Sequence, residues 1–280
     1  RPGDFLTWRI SSTSPERLAP YYVATVPILP PVTVSNLPHE FVMRDQGRLT
    51  FELINNTGTP LDLKVITREE GGALKPIKPV EIHLEGEASY PVELPLESAG
   101  PLGKDVRTQL DLTVQSGQNQ VSLRVPLIIL GQDSSLLRQS DVTVTVDSCY
   151  LGYSEKPLND GVTETAGIDW AEAAWASDEG SVPHWAQFDF AHPAQLREVT
   201  LHWAYDDGKY WSSRKVAVQI RRPEASDWET VATIETDKET PQSTVRFAPV
   251  RVKGLRIFQD AGNGPARRRG ILWLREVEAR

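Results

Sequence analysis

The chain has 280 residues, an apolar share of 39% and a charged share of 24%, the composition of a folded globular protein of about two domains. Its single cysteine, Cys149, excludes an intrachain disulfide framework and a multi-cysteine zinc site, and its longest strongly apolar stretch, residues 125–130, is far short of a membrane helix. A formal charge of −8 argues against general nucleic-acid binding, although residues 246–280 hold nine Lys and Arg against three acids, while residues 139–245 hold eight against nineteen.

Residues 1–30 read as a proline-rich, extended entry. Prolines at 20, 27, 30, 31 and 38 remove amide donors and predict an edge or a segment wrapped on a neighbour. The chain opens on Arg1 with neither an initiator methionine nor a signal peptide, so it reads as a segment of a longer polypeptide. Period-two alternation then puts Leu49, Phe51 and Leu53 on one face of a strand and Leu61, Leu63 and Val65 on one face of the next, with a turn-rich 55–60 between them. Further strands are predicted over 80–84, 90–94, 108–114 and 121–129, and no helix of three turns is evident before residue 130. Residues 31–131 therefore predict an antiparallel β-sandwich. Asn55-Asn56-Thr57 matches a glycosylation sequon of the kind that chance produces.

Small and polar residues follow Gly131, and residues 132–140 read as a linker. Beyond it, strands are predicted over 142–146, 185–190, 198–203, 215–221, 230–234, 244–247, 254–258 and 271–277, an all-β second half. Seven of the eight tryptophans lie there. Trp175, Trp185, Trp203, Trp228 and Trp273 fall within or beside strand patterns and are assigned to the core, and Cys149 reads as a small buried apolar residue.

The chain carries no H-E-x-x-H, no G-x-S-x-G elbow and no phosphate-cradling loop, so no catalytic residue is predicted. Its acids lie on alternating strand positions that face solvent, which does not single out the facing pair a glycosidase needs. The loop 205–214 is different. It sets Tyr205, Tyr210 and Trp211 beside Asp206 and Arg214, and a loop has no folding need for three aromatics. A pyranose packs its C–H face on such rings while fixed polar groups take its hydroxyls. The alternative is that Trp211 folds back over the end of the core.

The order Asn159-Asp160-Gly161, Trp175-Ala176-Ser177, Trp185 to Phe190, Leu196 to Leu201, Val216 to Ile220 with Trp228, and Leu274 to Glu278 resembles the discoidin domain, also called the coagulation-factor 5/8 type C domain. The resemblance covers residues 141–280 and implies a jelly-roll sandwich of the kind used as a carbohydrate-binding module. Residues 31–131 resemble, more faintly, an immunoglobulin-like or fibronectin-like spacer. The fold class is thus all-β, an Ig-like sandwich followed by a discoidin-like jelly roll.

The resemblance implies that two further loops converge with 205–214. One offers His184 as a hydroxyl partner. The other carries Arg267, Arg268 and Arg269, of which Arg268 is the favoured ligand partner; the run suits a carboxylate or sulfate, or else a solvated strand edge. Where discoidin-like sugar binders carry an Arg and an Asn, this chain has Asp206 and Tyr210 or Trp211, which departs from galactose-type recognition. The resemblance also implies a structural Ca²⁺ held by backbone carbonyls with Asp160 and Glu276. Two features depart from that pattern: Ala173 stands where a Thr is usual, and the stretch from 161 to 175 is long.

The function these readings imply is a non-catalytic carbohydrate-binding segment of a larger secreted bacterial protein, such as a glycoside hydrolase. Its location would be extracellular, periplasmic or at the cell surface. Its partners would be a glycan or polysaccharide and a catalytic domain of the same chain, with no nucleic acid and no membrane span. Two alternatives stand beside this: accessory domains that only pack on a catalytic domain, and a protein or lipid adhesion module.

Overall fold

Alternation in the sequence becomes alternation of burial. In Gln46–Asn55 every second side chain from Leu49 to Leu53 points inward and is at most 3% exposed, while Arg48, Thr50 and Glu52 point outward. The computed structural model describes residues 29–164 and 170–280, together with the backbone of 5–8 and 24–27. Phe5–Trp8 pairs antiparallel with Ala24–Pro27. The proximal sandwich sets a three-stranded sheet (Val32–Ser35, Gln46–Asn55, Ser89–Glu97) on a five-stranded one. The latter runs Phe41–Met43, Asn119–Ile129, Val106–Ser116, Leu61–Glu69, Val80–Leu84. Leu49, Phe51 and Leu53 meet Leu63, Val65, Leu110, Leu112 and Val114 between the sheets. Val32–Ser35, which follows Pro30 and Pro31, lies at a sheet edge. Asn55 of the sequon is 1% exposed, and its amide donates to Thr59 O, Leu84 O and Glu85 O. It pins the turn and offers no surface for a glycan.

The segment after Gly131 is anchored at both ends. Leu136 and Leu137, in a short 3₁₀ turn capped by Ser135, are buried in the distal core. Asn159 Nδ2 donates to Leu137 O at 2.6 Å, and Ser135 Oγ accepts from Ala279 N at 3.1 Å. On the proximal side, Arg44 N donates to Gln139 Oε1, Val42 N to Ser140 Oγ, and Arg138 pairs with Asp105 at 3.2 Å.

The distal sandwich is built on two long strands, His184–Trp203 and Gln242–Gln259, that pair with each other along their length. Register shifts between Asp189 and Ala194 mark where both bend from one layer to the other. The first half of His184–Trp203 also pairs with Val142–Val146, and its second half with Trp273–Ala279. Lys215–Arg221 and Glu229–Glu235 extend the first layer. Trp175, Trp203, Phe188, Leu201, Val218 and Ile257 fill the space between layers.

Trp175, Trp203 and Trp273 are buried as expected, but Trp185 and Trp228 are not core residues. Ala186, Phe188 and Phe190 take the inward positions, so Trp185, Gln187 and Asp189 point outward. There the Arg256 guanidinium lies 4.1 Å from the Trp228 ring centroid and 5.0 Å from that of Trp185, with Arg221 5.2 Å from Trp228. Cys149 is half-buried against the core, and burial pushes its thiol up. Among the described residues no helix is long and apolar enough to cross a membrane.

Candidate functional site

Loops gather at one end of the distal sandwich because short-range contacts tie them to Trp273–Ala279 and to one another. Tyr150 N donates to Ala176 O, Gly180 N to Gly270 O, and Trp211 N to Ala204 O. The 205–210 segment is a hairpin: Tyr205 pairs with Tyr210 and Asp206 with Lys209 around Asp207 and Gly208. Both turn residues hold positive φ, 49° and 74°, the geometry that an Asp-Gly pair favours between strands.

The hairpin displays its rings. Tyr205 is 46% and Tyr210 36% exposed, with centroids 4.9 Å apart. Trp211 is half-buried and does both things the sequence left open. One part of it packs on Trp273, centroids 5.4 Å apart, over a small apolar cluster of Ala174, Ala176, Ala204 and Ile271. Its Nε1 donates to Asp206 O at 3.3 Å, and the residue also lines a cleft of about 300 Å³. Tyr210, Trp211, Arg214, Lys209, Lys238 and Arg267 stand around that cleft with Asp237 and Glu239. Arg214 is held by its own donation to Gly262 O at 2.5 Å. Asp206 is half-buried in the hairpin and does not line the cleft.

Arg268 does not line the cleft; its guanidinium lies 6.0 Å from the Trp273 ring centroid. It pairs with Glu179 at 2.7 Å, which raises its guanidinium pKa, and its guanidinium sits 5.5 Å from the Tyr150 ring centroid. Tyr153 meets both Tyr150 and Trp273 edge to face. The indole Nε1 of Trp273, buried beneath them, has no hydrogen-bond partner.

His184 is a correction. It is 1% exposed, Nδ1 pairs with Asp147 Oδ2 at 2.8 Å and Nε2 with Gly270 O at 3.0 Å. No ring nitrogen is free for a saccharide. Residue 184 shares the inward parity of Ala186 and Phe188, and its imidazole ties the 270 loop to the strand.

Asp160 and Glu276 do come together. Glu276 is fully buried; its Oε1 accepts from Gly161 N at 3.2 Å and its Oε2 has no partner. Burial, then the nearby Asp160 charge, pushes the Glu276 carboxyl up to about 9. An orphaned carboxylate oxygen beside a second carboxylate is a donor set that suits a hard cation. Arg275 also reaches Asp160, at 3.5 Å. Among the described residues no cluster of three Asp, Glu, His or Cys forms, so backbone carbonyls would complete any shell.

Lys209, Lys238, Tyr150 and Tyr153 were missed by sequence reasoning, and of the arginine run it is Arg267, not the favoured Arg268, that lines the cleft. Polar loops such as 236–241 carry no periodicity to mark them, whereas Asp207-Gly208 was a legible hairpin signal.

A comparison with curated proteins finds no match. Among solved structures, the chitosan-binding module 1 of a chitosanase/glucanase from Paenibacillus sp. IK-5 is 20% identical, covering 50% of this chain and 95% of that one, TM-score 0.38. The family 32 carbohydrate-binding module from C. perfringens NanJ, solved with galactose, is 14% identical over 52% and 97%, TM-score 0.42. A Ruminococcus gnavus fucosidase in complex with fucose is 14% identical over 53% of this chain and 26% of that one, TM-score 0.42. Residues 158–257 match the family described as the NedA-like, galactose-binding domain of F5/8 type C. The distal sandwich thus carries an F5/8 type C, galactose-binding-like domain.

Proposed function

We propose that the distal sandwich is a non-catalytic carbohydrate-binding module and that its saccharide sits in the cleft beside Tyr210 and Trp211. The observation that carries this is the pair of rings lining a cleft with Arg214, Lys209 and Lys238. A sugar ring offers one C–H face to an aromatic wall, and its hydroxyls then meet charged donors and acceptors already in place. The proximal sandwich serves as an immunoglobulin-like spacer, a reading supported by the division of its first strands, Val32–Ser35 and Phe41–Met43, between the two sheets. The parent is a secreted bacterial glycan-active protein, working outside the cytoplasm, whose catalytic domain gains local substrate from the module.

A glycan-array screen followed by calorimetry tests this. At least one saccharide is expected to bind, and Trp211→Ala to weaken it at least about tenfold, with Trp211→Phe recovering part of the loss. A folded Trp211→Ala protein that binds unchanged, or a chain that binds no saccharide, ends the proposal. An adhesion surface is the second reading, favoured by Leu151 (90% exposed) and Val182 (55% exposed) on the loops that meet at this end.

We also propose that Asp160 and Glu276 hold a structural Ca²⁺. Calcium at about a hundredfold excess over Kd should stabilise the fold by about 2.7 kcal/mol, roughly 5–10 °C in melting temperature. Glu276→Gln should remove that response in a scanning calorimeter. A melting temperature indifferent to calcium and to a chelator would count against the site.

A further inference from the structure

We infer that the cleft selects an anionic saccharide, one bearing a carboxylate or a sulfate ester. This rests on the carbohydrate reading above and adds the charge of the ligand. Four cations, Lys209, Arg214, Lys238 and Arg267, line the cleft against two carboxylates, Asp237 and Glu239. Among the described residues, Lys209, Lys238 and Arg267 have no carboxylate within 4.0 Å. Elsewhere on the same sandwich Lys215, Arg221, Arg222, Arg246 and Arg268 each have one, and cations without one, such as Arg251 and Lys253, do not line this cleft. The cleft therefore gathers four cations whose charge Asp237 and Glu239 offset only in part.

Their frame is fixed. Thr236 N donates to Arg214 O at 2.9 Å and the Ser212 hydroxyl to Lys238 O at 3.4 Å, which ties the 236–239 loop to the cleft floor. Arg214 Nε is buried without an acceptor. A ligand oxyanion would receive from the exposed Lys238 and Arg267 hydrogen bonds in which both partners are charged, about twice as strong as those between neutral groups. The local field matters because the protein carries a net charge of −8, and an acidic polysaccharide is repelled except where cations cluster. Tyr210 and Trp211 supply the apolar wall, and Asp237 and Glu239 stay available to accept from hydroxyls.

The test uses the full chain and two matched pairs of oligosaccharides: oligogalacturonate with its methyl ester, and a sulfated galactan with its desulfated parent. Calorimetry in about 50 mM NaCl should show the charged member of at least one pair binding about tenfold or more tightly, the gap closing near about 500 mM. Which pair responds separates carboxylate from sulfate. The exposed double variant Lys238→Gln/Arg267→Gln should erase the gap, weakening the charged member about tenfold more than its neutral partner. Equal binding within both pairs, a gap that survives the double variant, or binding confined to neutral saccharides overturns the inference and leaves the carbohydrate reading standing. A chain that binds none of these, nor any saccharide of the array, overturns both.

Discussion

Asp147→Ala is expected to lower the stability of the distal sandwich by about 3–5 kcal/mol, the scale seen when one member of a buried charged network is removed. Asp147 Oδ2 meets His184 Nδ1 at 2.8 Å and the Ser148 hydroxyl at 2.7 Å, while Oδ1 accepts from Trp185 N at 2.7 Å. Alanine leaves a 1%-exposed imidazole and a backbone amide without their acceptor. The pH dependence follows from the carboxyl itself. Burial raises its pKa, but the hydrogen bonds from His184, Trp185 and Ser148 outweigh burial and hold it below the ordinary 3.8. A carboxylate depressed in the folded state contributes its stability in full above the unfolded value and loses it as the pH falls through the folded one. Urea unfolding should therefore show the variant's deficit in full at about pH 6 and reduced at about pH 3. A deficit below about 1 kcal/mol at pH 6 would mean that the network is dispensable.

Gly264→Ala should lower the stability of the sandwich by about 2 kcal/mol and weaken saccharide binding more than about tenfold. A Cβ at this buried position would stand 2.8 Å from the carbonyl oxygens of Arg268 and Arg269 and nearer still to that of Ile271. All three are backbone atoms, so relief requires the whole 264–270 turn to open, breaking the Gly264 N to Arg269 O bond of 3.0 Å. Pro265, Ala266 and Arg267, which form one wall of the cleft, would move with it. The neighbouring Asn263 O receives Arg214 N and Lys215 N, so the opposite wall is tied to the same turn. Thermal melts and titration of the best array saccharide check both effects, and a variant that melts and binds like the parent contradicts them.

The strands were the legible part of this chain. In Gln46–Asn55 and Leu61–Glu69 the period-two pattern alone identified the inward residues. Periodicity names two faces of a strand without saying which is the core: size argues Trp185 inward, whereas the polar parity of Gln187 and Asp189 puts it outward, and Trp228 lies just before Glu229–Glu235 and not within it. The cover over those rings comes from Arg221 and Arg256 on other strands, and Gly254 is what lets Trp228 lie close, since a Cβ there would sit 2.9 Å from its ring. His184 was misread as a loop residue, although its even spacing from Ala186 and Phe188 placed it inside. At the site, the aromatic hairpin stood out because rings in a polar loop violate composition. The cationic rim was only half legible: the 267–269 arginine run stands out, but Lys209 and Lys238 are ordinary loop residues until the fold brings 209, 238 and 267 together.

The double anchoring of residues 131–140 has a mechanical corollary. A hinge needs backbone donors and acceptors that can exchange partners freely, and here Leu137 O is committed to Asn159 of the distal sandwich and Ser140 N to Val42 O of the proximal one. The pair of sandwiches is built as a strut and not as a flail. A ligand captured at the far tip would be held at a set standoff and angle from whatever precedes the proximal sandwich, narrowing the volume it samples and raising its effective concentration only where that geometry is met.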